Sequence, residues 1–245
     1  MRPNGTSRKV VPCLLVALAA LTALATAAMV EVPATVRAAV DAPDRSAADR
    51  ALDAGRHPVD MLAFFDVRPG MHVAELGAGM GYTTELLARA VGPKGVVYAQ
   101  NNKFILDRFA EAPWSERLKK PVMKNVVRVD REFDDPLPPE ARNLDAVFMV
   151  LFYHDTVWMR TDRAKMDRAI FQALKPGAGL SEVQTLHRIE ESALRQEIEA
   201  AGFHLKAESD ALRNSSDTRD WNDSPVAAGE RRGTSDRFML SFVKP

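Results

Sequence analysis

The sequence predicts an α/β fold: a Rossmann-like, doubly wound, mostly parallel sheet that closes with an antiparallel C-terminal hairpin. Three observations carry this. Short apolar runs alternate with segments of helical period from residue 72 onward. The run His72-Val73-Ala74-Glu75-Leu76 enters a glycine turn, Gly77-Ala78-Gly79-Met80-Gly81, that opens a helix. Leu144 to Phe152 is almost continuously apolar, as a central parallel strand covered on both faces should be.

Residues 29–45, with Pro33 and Pro43, read as a flexible approach segment, so the domain is expected to run over 46–245. Short helices are expected from Ser46 to Ala54 and from Pro58 to Phe65, with Met61, Leu62 and Phe65 on one face. Arg68-Pro69-Gly70 is a turn. After the glycine turn, Thr83 or Thr84 can cap a helix from Glu85 to Val91, which Gly92-Pro93 stops. Gly95 to Ala99 is a second strand, Lys103 to Trp114 a helix and Asn125 to Val129 a third strand, with Pro136, Pro138 and Pro139 marking a loop. A helix from Asp162 to Leu174 ends at Lys175-Pro176-Gly177. Ser181-x-x-Gln184 reads as a capping box opening a long helix to Ala201, with Val183, Leu186, Ile189, Leu194 and Ile198 as its buried stripe. Only Ala178, Gly179 and Leu180 remain between these helices, so one central strand is expected to be missing after Gly177. The final hairpin, Phe203 to Glu208 with Arg237 to Val243, would then move beside the Leu144 strand.

The chain has 245 residues, 33 basic and 33 acidic, so charge gives no reason to expect nucleic acid as the main partner. Arg2, Arg8 and Lys9 precede an uncharged run that ends in Ala25-Thr26-Ala27-Ala28. This pattern reads as a cleaved export leader over 1–28 and places the protein in the periplasm or outside the cell; the alternative is an uncleaved N-terminal membrane anchor. Without the leader, 30 basic groups face 33 acidic ones, a net charge of about −3. The single cysteine, Cys13, lies in the leader, which excludes a thiol nucleophile, a disulfide framework and a zinc–thiolate site from the remainder. His57, His72, His187 and His204 lack metal-ligand spacing, and no metal is expected.

The glycine turn is the strongest chemical signal. Glycines accept positive φ and let a ligand approach the backbone where a Cβ would collide. The third glycine falls one place early for a dinucleotide fingerprint. With the turn's preceding Glu75, the chain resembles class I S-adenosylmethionine-dependent methyltransferases. More narrowly it resembles a family of predicted exported methyltransferases, through Ala51-Leu52-Asp53-Ala54-Gly55-Arg56, Gly81-Tyr82-Thr83-Thr84-Glu85, Tyr153-His154-Asp155, Arg219-Asp220-Trp221-Asn222-Asp223-Ser224-Pro225 and Gly233-Thr234-Ser235-Asp236-Arg237-Phe238. The resemblance implies S-adenosylmethionine as cofactor, with Glu75, Gly77, Ala78, Gly79 and Gly81 under its methionine part. It also implies a ribose-binding carboxylate at the end of the second strand, where this chain has Gln100-Asn101-Asn102; Asn101 is the amide that would substitute. Asp130 would lie near the adenine or else simply end its strand.

Methyl transfer needs alignment and, for some acceptors, a base. Tyr153, His154 and Asp155 follow the fourth strand, at the crevice; His154 is either a general base oriented by Asp155 or a turn residue shaping the wall. Trp221, Asn222 and Asp223 form an acceptor-side loop or a packed surface loop. Glu230-Arg231-Arg232-Gly233 would bind an anionic acceptor or be solvated. The expected activity is methyl transfer to a small-molecule or envelope acceptor, and the competing reading is a non-catalytic binding protein that kept the fold.

Overall fold

A computed structural model describes residues 32–184, 189–224 and 227–245. The expected leader over 1–28 lies outside the described residues, as do His187, Leu186 and Pro225. Among the described residues no helix is long and apolar enough to cross a membrane.

The sheet is mixed and mostly parallel, with seven strands in the order β3-β2-β1-β4-β5-β7-β6. These are β1 His72–Leu76, β2 Val96–Asn101, β3 Val126–Asp130, β4 Leu144–Val150, β5 Leu174–Gln184, β6 His204–Ser209 and β7 Phe238–Val243. β1 pairs in parallel with both β2 and β4, and β7 runs antiparallel between β5 and β6. The chain therefore reverses winding between β1 and β4, the place where open α/β sheets bind ligands. Val73, Leu76, Val97, Val147, Phe148, Leu180, Leu240 and Phe242 are buried between the helical layers.

The helices are α1 Ala34–Val40, α2 Ala47–Arg56, α3 Pro58–Phe64, α4 Tyr82–Val91, α5 Lys103–Ile105, α6 Glu111–Arg117, α7 Tyr153–Trp158, α8 Arg163–Ala173 and α9 Glu191–Ala200. A π turn, Leu106–Ala110, joins α5 to α6. Ser46 caps α2 by accepting from the Asp49 amide. α4 is capped by Gly81 at φ +84°, not by a threonine: Thr83 and Thr84 are buried inside its first turn.

Three expectations are corrected. Residues 34–40 are not a flexible approach but a helix, whose Val36, Ala39 and Val40 are buried against α3 and α4. The prolines that suggested looseness lie just outside it, Pro33 as its N-cap. The missing strand is present. β5 starts at Leu174, bulges through 175–178 and resumes beside β4 with Gly179 opposite Ala146 and Val183 opposite Val150. Lys175-Pro176-Gly177 is thus a bulge within the strand and not its replacement. The Gly177 amide donates to Lys244 O, and the Lys244 amide donates to Ala178 O. A Cβ on Gly179 would lie 2.9 Å from Phe242 O, so glycine lets β7 approach. The residues taken for a capping box, 181–184, are strand, and the long helix shortens to α9.

Candidate active site

The turn after β1 is held from two sides. Gly77, Gly79 and Gly81 all have positive φ, at +70°, +56° and +84°. The Gly77 amide donates to Gln100 Oε1 at 3.1 Å and the Ala78 amide to Gln100 O at 2.9 Å. Asn101 accepts from the Gly79 amide at 2.8 Å and donates to its carbonyl at 3.0 Å. The amides at the end of β2 are thereby committed to the loop: Asn101 is fully buried and braces Gly79.

The three glycines have different reasons to lack a side chain. A Cβ on Gly77 would sit 2.4 Å from the Phe152 ring, and one on Gly81 would sit 2.5 Å from Trp114. A Cβ on Gly79 would meet nothing within 4 Å. Gly77 and Gly81 serve packing, and Gly79 is the bare point of the turn. Open space over a positive-φ glycine, with Met80 about half exposed beside it, fits a ligand that lies along the backbone.

Glu75, at the end of β1, is buried and accepts from the Thr84 hydroxyl. Burial raises its carboxyl to a pKa of about 7, against the lowering effects of Thr84 and of the Arg56 charge. Asp130 is exposed and paired with Arg128 at 2.9 Å, outside the cleft described below. Sequence reasoning passed over Glu132. Its carboxylate accepts from Asn102 Nδ2 at 3.2 Å and from the Lys103 amide at 3.4 Å, so the end of β2 receives an acidic group from beyond β3. No local pattern signals this, because 30 residues separate the partners.

A cleft of about 430 Å³ opens past the end of β4. Three segments line it: α2 through Leu52, Gly55 and Arg56; the end of β4 through Leu151, His154 and Asp155; and the tail before β7 through Asp223, Arg232 and Arg237. Leu151 takes a left-handed φ of +59°, a strained turn that starts α7 at Tyr153. His154 is 5% exposed, with Nε2 3.4 Å from Asp155 Oδ1; Asp155 also accepts from Trp158 Nε1 at 2.7 Å.

Tyr153 is turned away from the cleft. It is fully buried, and its hydroxyl lies 2.8 Å from Glu197 and 3.1 Å from Asp167. Of the 221–223 loop, Asp223 lines the cleft; Trp221 is bound through Nε1 to Asp217 at 2.8 Å, and Asn222 Oδ1 accepts from the Ser224 amide. Arg237 and Arg56, which sequence reasoning quoted only within longer stretches, both line the cleft.

α2 is fixed firmly enough to serve as a wall. Arg45 holds Asp53 through two bonds of 2.7 Å, and the Tyr82 hydroxyl adds a third. Arg117 joins Asp49 of α2 to Glu85 of α4 at 2.7 and 2.5 Å. Opposing charges hold these carboxylates below their ordinary range despite burial.

Residues 19–127 match the model of the protein-L-isoaspartate(D-aspartate) O-methyltransferase (PCMT) family. A protein-L-isoaspartate O-methyltransferase of Pyrococcus horikoshii is 27% identical over 141 residues, 58% of this chain and 56% of that protein. One from Methanothermobacter thermautotrophicus is 44% identical over 43 residues, 17% of this chain and 20% of that protein. The chain thus spans about half or less of the length of these relatives. Among solved structures, an SAM-dependent methyltransferase from Aquifex aeolicus superposes with a TM-score of 0.59 at 18% identity, covering 81% of this chain and 95% of that one. An S-adenosylmethionine-dependent methyltransferase from Mesorhizobium loti gives 0.53 at 12% identity, covering 78% and 99%. The chain has the α/β Rossmann-like fold that these solved methyltransferases share.

Proposed function

We propose that this protein transfers a methyl group from S-adenosylmethionine to a small-molecule or envelope acceptor bound in the cleft between α2, the end of β4 and the tail. One observation carries the reading: Gly79 presents a bare backbone to open space at the β1–β4 switch point, in a sheet of methyltransferase order. The match over 19–127 supports the cofactor half. The acceptor-side residues His154, Asp223 and Arg237 lie beyond it, so the acceptor is not taken from those relatives.

The cofactor supplies a methyl group on a sulfonium, open to displacement by a nucleophile. The protein's part is placement and proton handling. Gly77, Ala78, Gly79 and Gly81 give the cofactor a backbone surface, and Glu75 beneath them offers a carboxyl near its neutral point for an ammonium. Glu132 brings a carboxylate to the β2 end, where Asn101 is occupied with the loop. His154 takes the proton of an acceptor hydroxyl or amine at a ring nitrogen, and the Asp155 carboxylate favours the resulting imidazolium.

The competing reading, a non-catalytic protein with this fold, gains nothing from the strand expected to be missing, because β5 pairs with β4. Export through residues 1–28 remains part of the proposal, and N-terminal sequencing of the secreted or periplasmic product tests it. Calorimetric titration of the purified full chain with S-adenosylmethionine, followed by a labelled-methyl assay on cell-envelope extracts, tests the activity. Micromolar binding with label transfer supports the reading, and silence in both refutes it.

A further inference from the structure

The cleft wall carries more cations than its own carboxylates neutralise. Arg56, Arg232 and Arg237 all line it, against Asp155 and Asp223. Asp155 is already engaged by Trp158 and His154. Among the described residues none of the three arginines makes an ion pair within 4 Å. Arg237 is 4% exposed, yet its guanidinium donates only to main-chain carbonyls, Ser235 O at 3.3 Å and Gly233 O at 2.7 Å, which leaves Nη1 uncommitted. Arg56 lies with its guanidinium 4.5 Å from the centre of the Tyr82 ring, a contact that orients it without neutralising it. Burial, joined by the like charge of Arg232 on Arg56 and of Arg56 on Arg237, holds both guanidiniums below their ordinary value. Asp223 and Asp236 are the counter-charges acting on Arg237, both at more than ion-pair distance.

Holding like charges together in a half-buried cleft is unfavourable unless something of opposite sign enters. Guanidinium forks match the planar oxygens of carboxylate and the tetrahedral oxygens of phosphate. We infer that the cleft anchors the methyl acceptor by an oxyanion group, a carboxylate or phosphoryl handle held by Arg56 and Arg237 with Arg232 at the rim. This deepens the methyltransferase reading and rests on it: the handle fixes the acceptor while His154, at the end of β4, serves its nucleophilic end.

The test is calorimetric titration of the full chain with two probes, inorganic phosphate and succinate, and separately with S-adenosylmethionine. Saturable binding of either probe is expected. Arg232→Ala and Arg56→Gln are each expected to weaken it about tenfold, while Arg128→Gln, at a half-buried arginine of β3 outside the cleft, leaves it unchanged. Tighter phosphate binding assigns a phosphoryl handle and tighter succinate binding a carboxyl one. Arg237→Gln, which also loses loop bonds, is read beside Arg232→Ala, whose exposed side chain makes no hydrogen bond among the described residues. Binding of S-adenosylmethionine with no saturable probe binding, or probe binding indifferent to both cleft substitutions, overturns the handle. Failure to bind S-adenosylmethionine overturns the methyltransferase reading instead.

Discussion

Gly55 of α2 and Gly233 of the tail are packed back to back: a Cβ on either would lie 3.0 Å from the other's Cα. This contact sets the width of the cleft, because Arg56 follows one glycine and Arg232 precedes the other. Gly233 also has a φ of +85°, which a side chain tolerates poorly.

Gly233→Ala is therefore expected to destabilise the protein by about 1–2 kcal/mol from the left-handed backbone alone, with the Gly55 contact added. Urea unfolding measures it. Gly55→Ala is the sharper case. Glycine to alanine within a helix ordinarily stabilises by roughly 0.5–1 kcal/mol. Here the tail must move by a few tenths of an ångström, so no gain in stability is expected and anion binding should weaken. A clear rise in the unfolding midpoint with unchanged probe affinity would show that the tail does not rest on α2.

Glu75 and Asp167 give the protein a characteristic pH dependence. Burial lifts both carboxyls to about 7, from ordinary values of 4.5 and 3.8. Each holds its proton more tightly folded than unfolded. The stability each contributes is full below its ordinary value and is lost as pH rises through 7, about 3–4 kcal/mol per group at most. Unfolding free energy should fall between pH 5 and 7.5. Glu75→Gln and Asp167→Asn should each flatten part of that slope. A slope unaltered in both variants would mean that neither carboxyl is protonated in the folded state.

Glu132→Gln addresses the β2 end. If its carboxylate serves the cofactor's hydroxyls, S-adenosylmethionine affinity should drop about tenfold, the loss of one charge-assisted hydrogen bond. Because Glu132 is exposed, the fold should be unaffected, which circular dichroism can check.

His154→Asn should lower label transfer by about 10²–10⁴-fold if the imidazole accepts the acceptor's proton, with cofactor affinity nearly unchanged. Equal losses of affinity and turnover would make His154 a wall of the pocket and not a base.

Much of this architecture is legible locally. β1 is bounded by its own apolar run and the glycine turn, and β4 by its continuous hydrophobicity. α2 starts where Ser46 can cap it. What stayed hidden depends on distant partners. β5 contains Gly179 because Phe242 O approaches from 63 residues away, and that glycine, with Pro176 in the bulge, erases the usual strand signal. α1 has no strong period of its own and is helical because Val36 finds a buried place between α3 and α4. In the site, the glycine turn and His154 could be named from the chain alone. Asn101 could not be assigned to bracing, Glu132 to the β2 end or Arg237 to the cleft wall, since each acquires its role from a neighbour across the sheet or tail.

Gly79→Val tests the central claim most directly. The φ of +56° disfavours valine, and its side chain would fill the space that Gly79 leaves open, yet no neighbour within 4 Å of the Cβ forces the core to move. The expected result is loss of S-adenosylmethionine binding by calorimetry with a circular dichroism spectrum close to that of the parent protein. Parent-like affinity in a folded Gly79→Val protein would contradict the account, because the cofactor would then not rest on this turn.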